Sequence, residues 1–230
     1  IKVMVKSLSR KDILAWDVYN WSGALKYWES ILKSSQNLEC LELGANMGGL
    51  SLWLASKGYH VICNDIRPVN DDVLQYHKQF NYAGKITYES FDAVNIPYEN
   101  KFDIIILKSV LGGVGRDGKD ERIEMTIKEI HKALKPGGLF LFAENLKATK
   151  FHSFFRKNFM HWAKDWNYLK KEQFESYMKI FSETVIKTSG FLGAFGFNEG
   201  SKAFLGKIDT VFFNKFSGWG HYIIYGHAKK

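Results

Sequence analysis

The sequence has few of the residues that stabilise a fold through covalent or metal cross-links. Only two of its 230 residues are cysteines, Cys40 and Cys63, which is too few for a disulfide framework or a zinc site. Both lie in apolar segments, so we predict that both belong to the core. No apolar run approaches the roughly 20 residues of a membrane span, and residues 1–12 contain no hydrophobic signal-peptide segment. We therefore expect a cytoplasmic location.

The composition is that of an ordinary globular protein, with 46% hydrophobic and 24% charged residues. We expect a single domain over residues 1–230, because the sequence contains no internal repeat and no low-complexity linker. Basic residues outnumber acidic ones by 32 to 24, and most of this excess lies in residues 147–171. A basic segment of this kind is compatible with nucleic acid, an anionic membrane or a phosphorylated substrate.

An apolar segment at residues 38–43 runs into a loop with the pattern E-x-G-x-x-x-G, formed by Glu42, Gly44 and Gly48. A short apolar run bounded by polar residues is typical of a buried parallel strand. The glycines allow the backbone to turn sharply and to lie against a ligand. The apolar stretch 50–55 behind them predicts a helix with free N-terminal amides. The dinucleotide-binding pattern G-x-G-x-x-G requires a middle glycine where this loop has Asn46, so the loop does not match that pattern.

A second carboxylate supports a nucleotide-type site. Residues 59–63 predict another strand, which leads to Asp65, twenty-one residues after Gly44. A carboxylate at the end of such a strand accepts hydrogen bonds from ribose hydroxyls in nucleotide-binding α/β folds. The sequence therefore predicts a ligand at the carboxyl ends of these two strands.

Three segments together resemble one enzyme family. The loop from Glu42 to Gly48 is similar to motif I of the class I S-adenosylmethionine (SAM) dependent methyltransferases. Residues 102–107, FDIIIL, resemble the fourth strand of that family, and residues 133–145, ALKPGGLFLFAEN, resemble the stretch after its motif III. The segments occur in the family's order and at its distances, and the resemblance covers about residues 38–145.

The resemblance implies an α/β, Rossmann-like, seven-stranded mixed sheet whose last strand is antiparallel, with helices on both faces. It also implies SAM as the cofactor. Asp92 and Ala93 would form the adenine-binding turn. The alternative for Asp92 is an aspartate in an ordinary turn that binds no ligand. The cofactor-binding residues implied in this way are Glu42, Gly44, Ala45, Asn46, Gly48, Asp65, Ile66, Asp92, Ala93, Lys108 and Ser109.

Two segments lie outside the minimal fold of the family. Residues 1–36 predict a helical cover over the entrance to the cofactor site, in which Trp16, Tyr19 and Trp21 are either packing residues or ligand contacts. Residues 147–181 predict a helical lid inserted after the fifth strand, and its first helix, 149–163, is basic and amphipathic. That helix either packs on the sheet with a solvated basic face or closes the pocket; a membrane-surface helix is a third alternative. The residues predicted to bind substrate are Trp21, Arg156, Trp166 and Tyr168.

The absence of certain family motifs narrows the range of possible methyl acceptors. The end of the fourth strand reads Lys108-Ser109-Val110-Leu111, where N6-adenine enzymes of the family carry N/D-P-P-Y and C5-cytosine enzymes need a cysteine after a proline. Catechol-type O-methyltransferases bind magnesium at the end of the fourth strand. Here Lys108 places a positive charge where that metal would lie, which disfavours a magnesium site. We therefore predict a metal-independent enzyme that methylates the hydroxyl of a small molecule or sugar bearing phosphate or carboxylate. The alternatives are an RNA- or DNA-directed methyltransferase that uses residues 147–171 and a SAM-binding module without transfer activity.

A hydroxyl acceptor needs a general base within hydrogen-bond reach. We predict His152 or Glu144, with His161 and Asp117 as further candidates. The unperturbed pKa of a histidine is suitable for accepting a hydroxyl proton near neutral pH. His152 lies one helical turn before Arg156, so both side chains can point into the mouth of the same pocket. For His152 alone a solvent-facing helix position is the more ordinary alternative. The oligomeric state stays open.

Overall fold

The computed structural model describes residues 6–32, 37–160, 165–215 and 220–230. Seven strands form the sheet: β1 Glu39–Leu43, β2 His60–Asp65, β3 Ile86–Ser90, β4 Phe102–Lys108, β5 Leu134–Asn145, β6 Glu183–Ser189 and β7 Ile223–Lys229. The α-helices in the described ranges are α1 Arg10–Leu14, α2 Val18–Ile31, α3 Gly49–Ser56, α4 Asp71–His77, α5 Leu111–Val114, α6 Asp120–Ala133, α7 Lys150–Phe159, α8 Lys171–Tyr177 and α9 Glu199–Val211.

The strands form one sheet in the order β3-β2-β1-β4-β5-β7-β6. Strands β1 to β5 pair in parallel, and β7 lies antiparallel between β5 and β6. This arrangement confirms the predicted fold class and the predicted antiparallel last strand. The strand order reverses beside β1, between β1 and β4, and ligands of open α/β sheets bind at such a point.

Both faces of the sheet are buried, as the nearly unbroken apolar sequence of β4 predicts. Successive residues of a strand point to opposite faces, so Ile104 and Ile106 pack with α1, α2 and α3 on one side. Ile105 and Leu107 pack with α6 and α8 on the other. Cys40 and Cys63 are buried free thiols in this core, as predicted. None of the helices in the described part of the chain is long and apolar enough to cross a membrane.

The described part of the predicted N-terminal helical cover forms two helices, α1 and α2. The break lies at Ala15, whose φ of 64° and ψ of −52° form a tight three-residue turn in which the Trp16 N–H donates to the Leu14 carbonyl at 2.8 Å. Asp17, the N-cap residue of α2, is buried. The Glu199 carboxylate, at the start of α9, accepts the N–H groups of Asp17 and Val18. A residue 182 positions away therefore fixes this break.

The segment Lys135-Pro136-Gly137-Gly138 lies inside β5, where the sequence predicts a turn before the strand. Leu134 pairs with Phe102, and the register then shifts before Leu139 pairs with Ile104. Gly137 has a φ of +77°, which glycine adopts without strain. The segment is therefore a bulge within a longer strand.

Helix α7 ends at Phe159, and the predicted helix end at residue 163 lies outside the described residues, as do His161 and Trp162. The chain is described again from Asp165 and returns to the end of β5, where Leu146 and Leu169 form a parallel bridge. The segment after β5 thus folds back against the carboxyl edge of the sheet.

Candidate functional site

Two adjoining cavities lie at the carboxyl ends of β1, β2 and β4, with volumes of about 430 and 790 Å³. Gly44, Asn46, Ser109 and Trp166 line both of them, so the two cavities form one crevice. We call the larger cavity, which contains Asp65 and Asp92, the nucleoside half. The smaller cavity, which contains Trp16, Lys108 and Lys202, is the acceptor half.

The glycine loop forms the floor of the crevice. Gly44 and Gly48 have φ values of +62° and +65°, and Asn46 between them has a φ of 49°. A Cβ on Gly44 would lie 2.7 Å from the side chain of Val110, so only a glycine fits without displacing its neighbour. Gly48 precedes α3 directly, and its N–H donates to the Ala45 carbonyl at 2.7 Å. The loop therefore presents bare backbone to the crevice, as its sequence predicts.

Asp65 is held at the end of β2 by backbone donors. Its two carboxylate oxygens accept the N–H groups of Asn46 at 3.0 Å and Arg67 at 3.2 Å. These contacts fix the direction of the carboxylate, which lines the nucleoside half together with Ile66. The arrangement suits hydrogen bonds from a pair of ribose hydroxyls.

Asp92 lines the same half but already has a partner. Its carboxylate accepts a hydrogen bond from the Arg122 guanidinium at 2.7 Å and from the Val94 N–H at 3.2 Å. Arg122, on α6, also donates to the Val114 carbonyl, so it links α6 to the loop after β4. Asp92 and Ala93 therefore lie where the adenine-binding turn is predicted, and Arg122 is a neighbour that the local sequence does not reveal.

Glu42 lies beneath the acceptor half. Its buried carboxylate accepts the backbone N–H and the hydroxyl of Ser51, at 2.6 and 2.5 Å, and so ties β1 to α3. Burial raises the pKa of Glu42 to about 7, although the hydrogen bonds from Ser51 act in the opposite direction. The crevice floor therefore holds an acid that titrates near neutrality.

Lys108, the last residue of β4, extends into the acceptor half. Its Nζ lies 3.9 Å from the ring centroid of Trp16 and 4.8 Å from that of Trp21. The Nζ of Lys202, from α9, lies 5.4 Å from the same Trp16 centroid. Trp21 itself is fully buried and packs edge-on against Trp16, so it touches Lys108 and does not line either cavity. Two lysines and an indole therefore form the wall of the acceptor half.

Trp166 closes the crevice from the lid segment. A Cβ on Gly112 would lie 1.9 Å from Nε1 of Trp166, and a Cβ on Gly113 would lie 3.1 Å from its ring. The Asn167 N–H donates to the Gly112 carbonyl at 3.0 Å. The glycines after β4 thus make room for the indole, which brings one predicted substrate residue to the site.

Glu144, a predicted base, supports the crevice from below. Its buried carboxylate accepts the N–H groups of Val110 and Leu111 at 2.8 and 2.7 Å and that of Asn145 at 2.8 Å. Burial raises the pKa of Glu144 to about 7, against the effect of these backbone donors and of Lys108. Glu144 is not among the residues that line the two cavities.

The remaining predicted residues of the lid lie elsewhere. His152 is buried; its Nδ1 lies 2.7 Å from the Thr149 hydroxyl and its Nε2 2.9 Å from the Phe191 carbonyl. The Arg156 guanidinium donates to the Leu146 carbonyl at 2.7 Å and stacks on Tyr168 at 4.0 Å. None of His152, Arg156 and Tyr168 lines either cavity. The base and substrate roles of these residues stay predictions that the geometry does not favour.

Sequence reasoning did not identify Lys202 or Arg122 as site residues. Lys202 lies on α9, about ninety positions after the end of β4, and reaches Trp16 because α9 packs against α2. A lysine and an arginine on amphipathic helices have no local feature that separates them from solvated charges. Only the packing of the helices places them in the crevice.

The crevice suits the cofactor that the sequence implies. Asp65 offers acceptors to ribose hydroxyls, and Gly44 lines both halves of the crevice without a side chain. When bound, SAM supplies an activated methyl group on a sulfonium. The protein then contributes mainly proximity and orientation.

Comparisons with known proteins agree with this geometry. A family model described as a methyltransferase domain matches residues 41–142. No curated protein sequence matches the chain. Among solved structures, phosphoethanolamine N-methyltransferase 2 of Haemonchus contortus, in complex with phosphomonomethylethanolamine and S-adenosylhomocysteine, matches with 18% identity and a TM-score of 0.63. The alignment covers 91% of this chain and 52% of that one, so the chain spans about half the length of this enzyme.

Two further structures have the same fold. A SAM-dependent methyltransferase of Methanosarcina mazei matches with 16% identity and a TM-score of 0.59, over 88% of this chain and 96% of that one. The [4+2]-cyclase SpnF matches with 15% identity and a TM-score of 0.58, over 85% of this chain and 75% of that one. Residues 41–142, which include the motif I loop, therefore form a class I SAM-dependent methyltransferase domain, and the strand order and the solved structures show the same fold for the sheet as a whole.

Proposed function

We propose that this chain transfers the methyl group of SAM to a hydroxyl of a small molecule or sugar that also carries a phosphate or carboxylate. The observation that carries the proposal is the two-part crevice. Asp65 and Asp92 line one half, and Lys108, Lys202 and two indoles line the other. In this scheme residues 1–230 act as one domain, in which the N-terminal cover and Trp166 enclose the acceptor.

A cation of the acceptor half supports an anionic compound. Lys202 lines this half, and a lysine ammonium group forms charge-assisted hydrogen bonds with phosphate or carboxylate. Trp16 and Trp166 add flat apolar surface on which a sugar or ring can stack. The Haemonchus contortus enzyme, whose bound compound carries a phosphate, offers a parallel for an anionic small molecule.

The same cation favours a hydroxyl over an amine as the methylated group. A protonated amine would add a positive charge, besides the sulfonium, to a cavity that Lys202 already lines. A neutral hydroxyl avoids this repulsion. That distinction separates the proposal from a simple transfer of the Haemonchus contortus chemistry to this chain.

A panel of acceptors tests the proposal. Purified chain, SAM and matched pairs of compounds would be incubated, each pair offering a sugar phosphate or hydroxy acid and its uncharged analogue. Release of S-adenosylhomocysteine and the mass of the product are measured. We expect turnover with anionic hydroxyl compounds and at least tenfold less with the uncharged partners. Preferential methylation of amines such as phosphoethanolamine would contradict the choice of a hydroxyl.

A second candidate is a nucleic-acid methyltransferase. A separate cavity of about 930 Å³ in front of β5 is lined by Lys147, Lys150, Lys170 and Lys171. We rank it lower, because the sequence has no nucleobase motif and the aromatic residues lie in the other cavity. A gel-shift series with RNA and DNA at 50 and 200 mM salt separates the two. We expect weak binding, whereas tight binding that falls about 10³-fold or more between these salt concentrations would favour the nucleic-acid function.

A third alternative is a domain that binds SAM without transferring its methyl group. The cyclase SpnF shares the fold at a TM-score of 0.58, so the fold by itself does not determine the reaction. Turnover with any acceptor in the panel excludes this alternative.

A further inference from the structure

We propose that Lys108 is the proton acceptor of the transfer reaction, in place of the predicted His152 and Glu144. The inference rests on the proposed function, since it assumes a hydroxyl acceptor in the crevice. Three observations support it: Lys108 lines the acceptor half, two indoles lie beside its amine, and no carboxylate in the described residues pairs with it.

The position of Lys108 is suited to the acceptor. Gly44, Asn46, Ser109 and Trp166 line both halves of the crevice and therefore mark the junction between nucleoside and acceptor. Lys108 precedes Ser109 directly and lines only the acceptor half. Of the candidate bases in the described residues, Glu144 and His152 line neither cavity. Lys108 is thus the lysine beside the junction, on the side where a hydroxyl would meet the methyl group.

The surroundings of Lys108 disfavour its protonated form. No carboxylate in the described ranges lies within 4 Å of its Nζ, and it has no hydrogen-bond partner among those residues. Its Nζ lies over the indoles of Trp16 and Trp21, 3.9 and 4.8 Å from their ring centroids. An amine packed against aromatic rings is more readily neutral than one at the surface.

Charged groups on four other elements face Lys108 at longer range. Asp17 before α2, Glu42 on β1 and Glu144 on β5 favour the ammonium form, and Lys202 on α9 opposes it. Burial outweighs the three carboxylates and lowers the pKa of Lys108 to about 7. Near neutral pH a large fraction of Lys108 is therefore a neutral amine, which can accept a proton.

The chemical step balances with Lys108 in this role. The hydroxyl oxygen forms the new bond to the methyl carbon, and the carbon–sulfur bond breaks with its electron pair left on sulfur. The hydroxyl proton passes to the neutral Nζ of Lys108, which releases it to solvent afterwards. A group whose pKa lies near the working pH is the most effective general base.

Titration of Lys108 tests the inference without any acceptor. The protein is labelled with ¹³C at lysine Cε and saturated with S-adenosylhomocysteine. The NMR signal that is missing from the Lys108→Arg spectrum belongs to Lys108, and its chemical shift is followed against pH. We expect the midpoint of this titration near pH 7. A midpoint near the ordinary lysine value of about 10.4 would overturn the proposal, because the amine would then be protonated at neutral pH.

Turnover of the best acceptor in the panel gives the second readout. With the wild-type chain, the rate should rise about tenfold per pH unit below 7 and level off above it, because the protonated amine cannot accept a proton. In Lys108→Arg the turnover number should fall about 10²-fold or more, while the affinity for S-adenosylhomocysteine changes less than about threefold. A small primary amine added to Lys108→Ala should restore part of the rate.

Lys101→Arg is the matched control, because Lys101 also stacks on an aromatic ring, that of Tyr98 at 3.8 Å, just before the opposite end of β4. Its turnover should stay at the wild-type level. Retention of turnover by Lys108→Arg, or a parallel loss of S-adenosylhomocysteine affinity, would show that Lys108 anchors an anion and is not the base. If no compound in the panel is methylated, the proposed function fails, and the NMR midpoint still decides whether Lys108 can accept a proton.

Discussion

Replacement of Gly44 by valine is expected to lower the affinity for S-adenosylhomocysteine by a hundredfold or more. The new Cβ would lie 2.7 Å from the Val110 side chain, and the φ of +62° is one that a β-branched residue avoids. Strain and overpacking of this size cost about 3 kcal/mol together, and either the loop or Val110 must move into the crevice. Calorimetric titration with S-adenosylhomocysteine measures the loss.

Gly84→Val is the control for this substitution, since a Cβ on Gly84 meets no atom within 4 Å and its φ is not positive. Its affinity should equal that of the wild-type chain. Because Gly44→Val can also reduce folding, Asp65→Ala provides an independent test that leaves the loop glycines unchanged. We expect a loss of about tenfold or more from the missing charge-assisted hydrogen bonds. Unchanged affinity in both Gly44→Val and Asp65→Ala would contradict the assignment of this crevice to SAM.

Replacement of Glu144 by alanine should lower the free energy of unfolding by about 3 kcal/mol. The buried carboxylate accepts the N–H groups of Val110, Leu111 and Asn145, and each buried donor left without a partner costs about 1 kcal/mol or more. Glu144→Gln should lose less, because the amide oxygen can still accept the N–H groups of Val110 and Leu111. Chemical denaturation of the two variants measures the difference.

Glu144→Gln also separates a supporting role from the predicted role of a base. A glutamine cannot accept the proton, so a folded Glu144→Gln chain without turnover would favour Glu144 as the base and would contradict the assignment of Lys108. We expect turnover within about tenfold of the wild-type rate. The carboxylate orients the loop after β4, and the amide preserves most of that contact.

The free energy of unfolding of the wild-type chain and that of Glu144→Gln should also depend differently on pH. Burial raises the pKa of Glu144 from 4.5 to about 7, so between these values the folded chain holds a proton that the unfolded chain has lost. The wild-type free energy of unfolding should therefore decrease as the pH rises from 4.5 to 7. Glu144→Gln resembles the protonated form and should decrease less steeply, with Glu42 responsible for the remaining slope. Equal slopes would contradict the raised pKa of Glu144.

Local patterns determined much of the fold. The unbroken apolar run of β4, the glycine loop after β1 and the acid at the end of β2 are each set by a few adjacent residues, and the structure places them as predicted. Backbone freedom at Gly44 and a carboxylate at Asp65 are properties of single residues at fixed positions along a strand and its turn. The sequence by itself therefore determined the fold class and the edge of the sheet where the crevice lies, and its resemblance to the methyltransferase family implied the cofactor.

Tertiary packing decided which side chains reach the acceptor. His152 looks accessible on an amphipathic helix, yet Thr149 and the Phe191 carbonyl engage both of its ring nitrogens. Arg156 stacks on Tyr168 within the lid segment. Lys202, more than ninety positions after the end of β4, lies over the same Trp16 ring as Lys108. The environment that makes a lysine a proton acceptor consists of groups from four distant segments. Burial and charge at one point depend on the whole arrangement of helices around it, and no local spacing in the sequence contains that information.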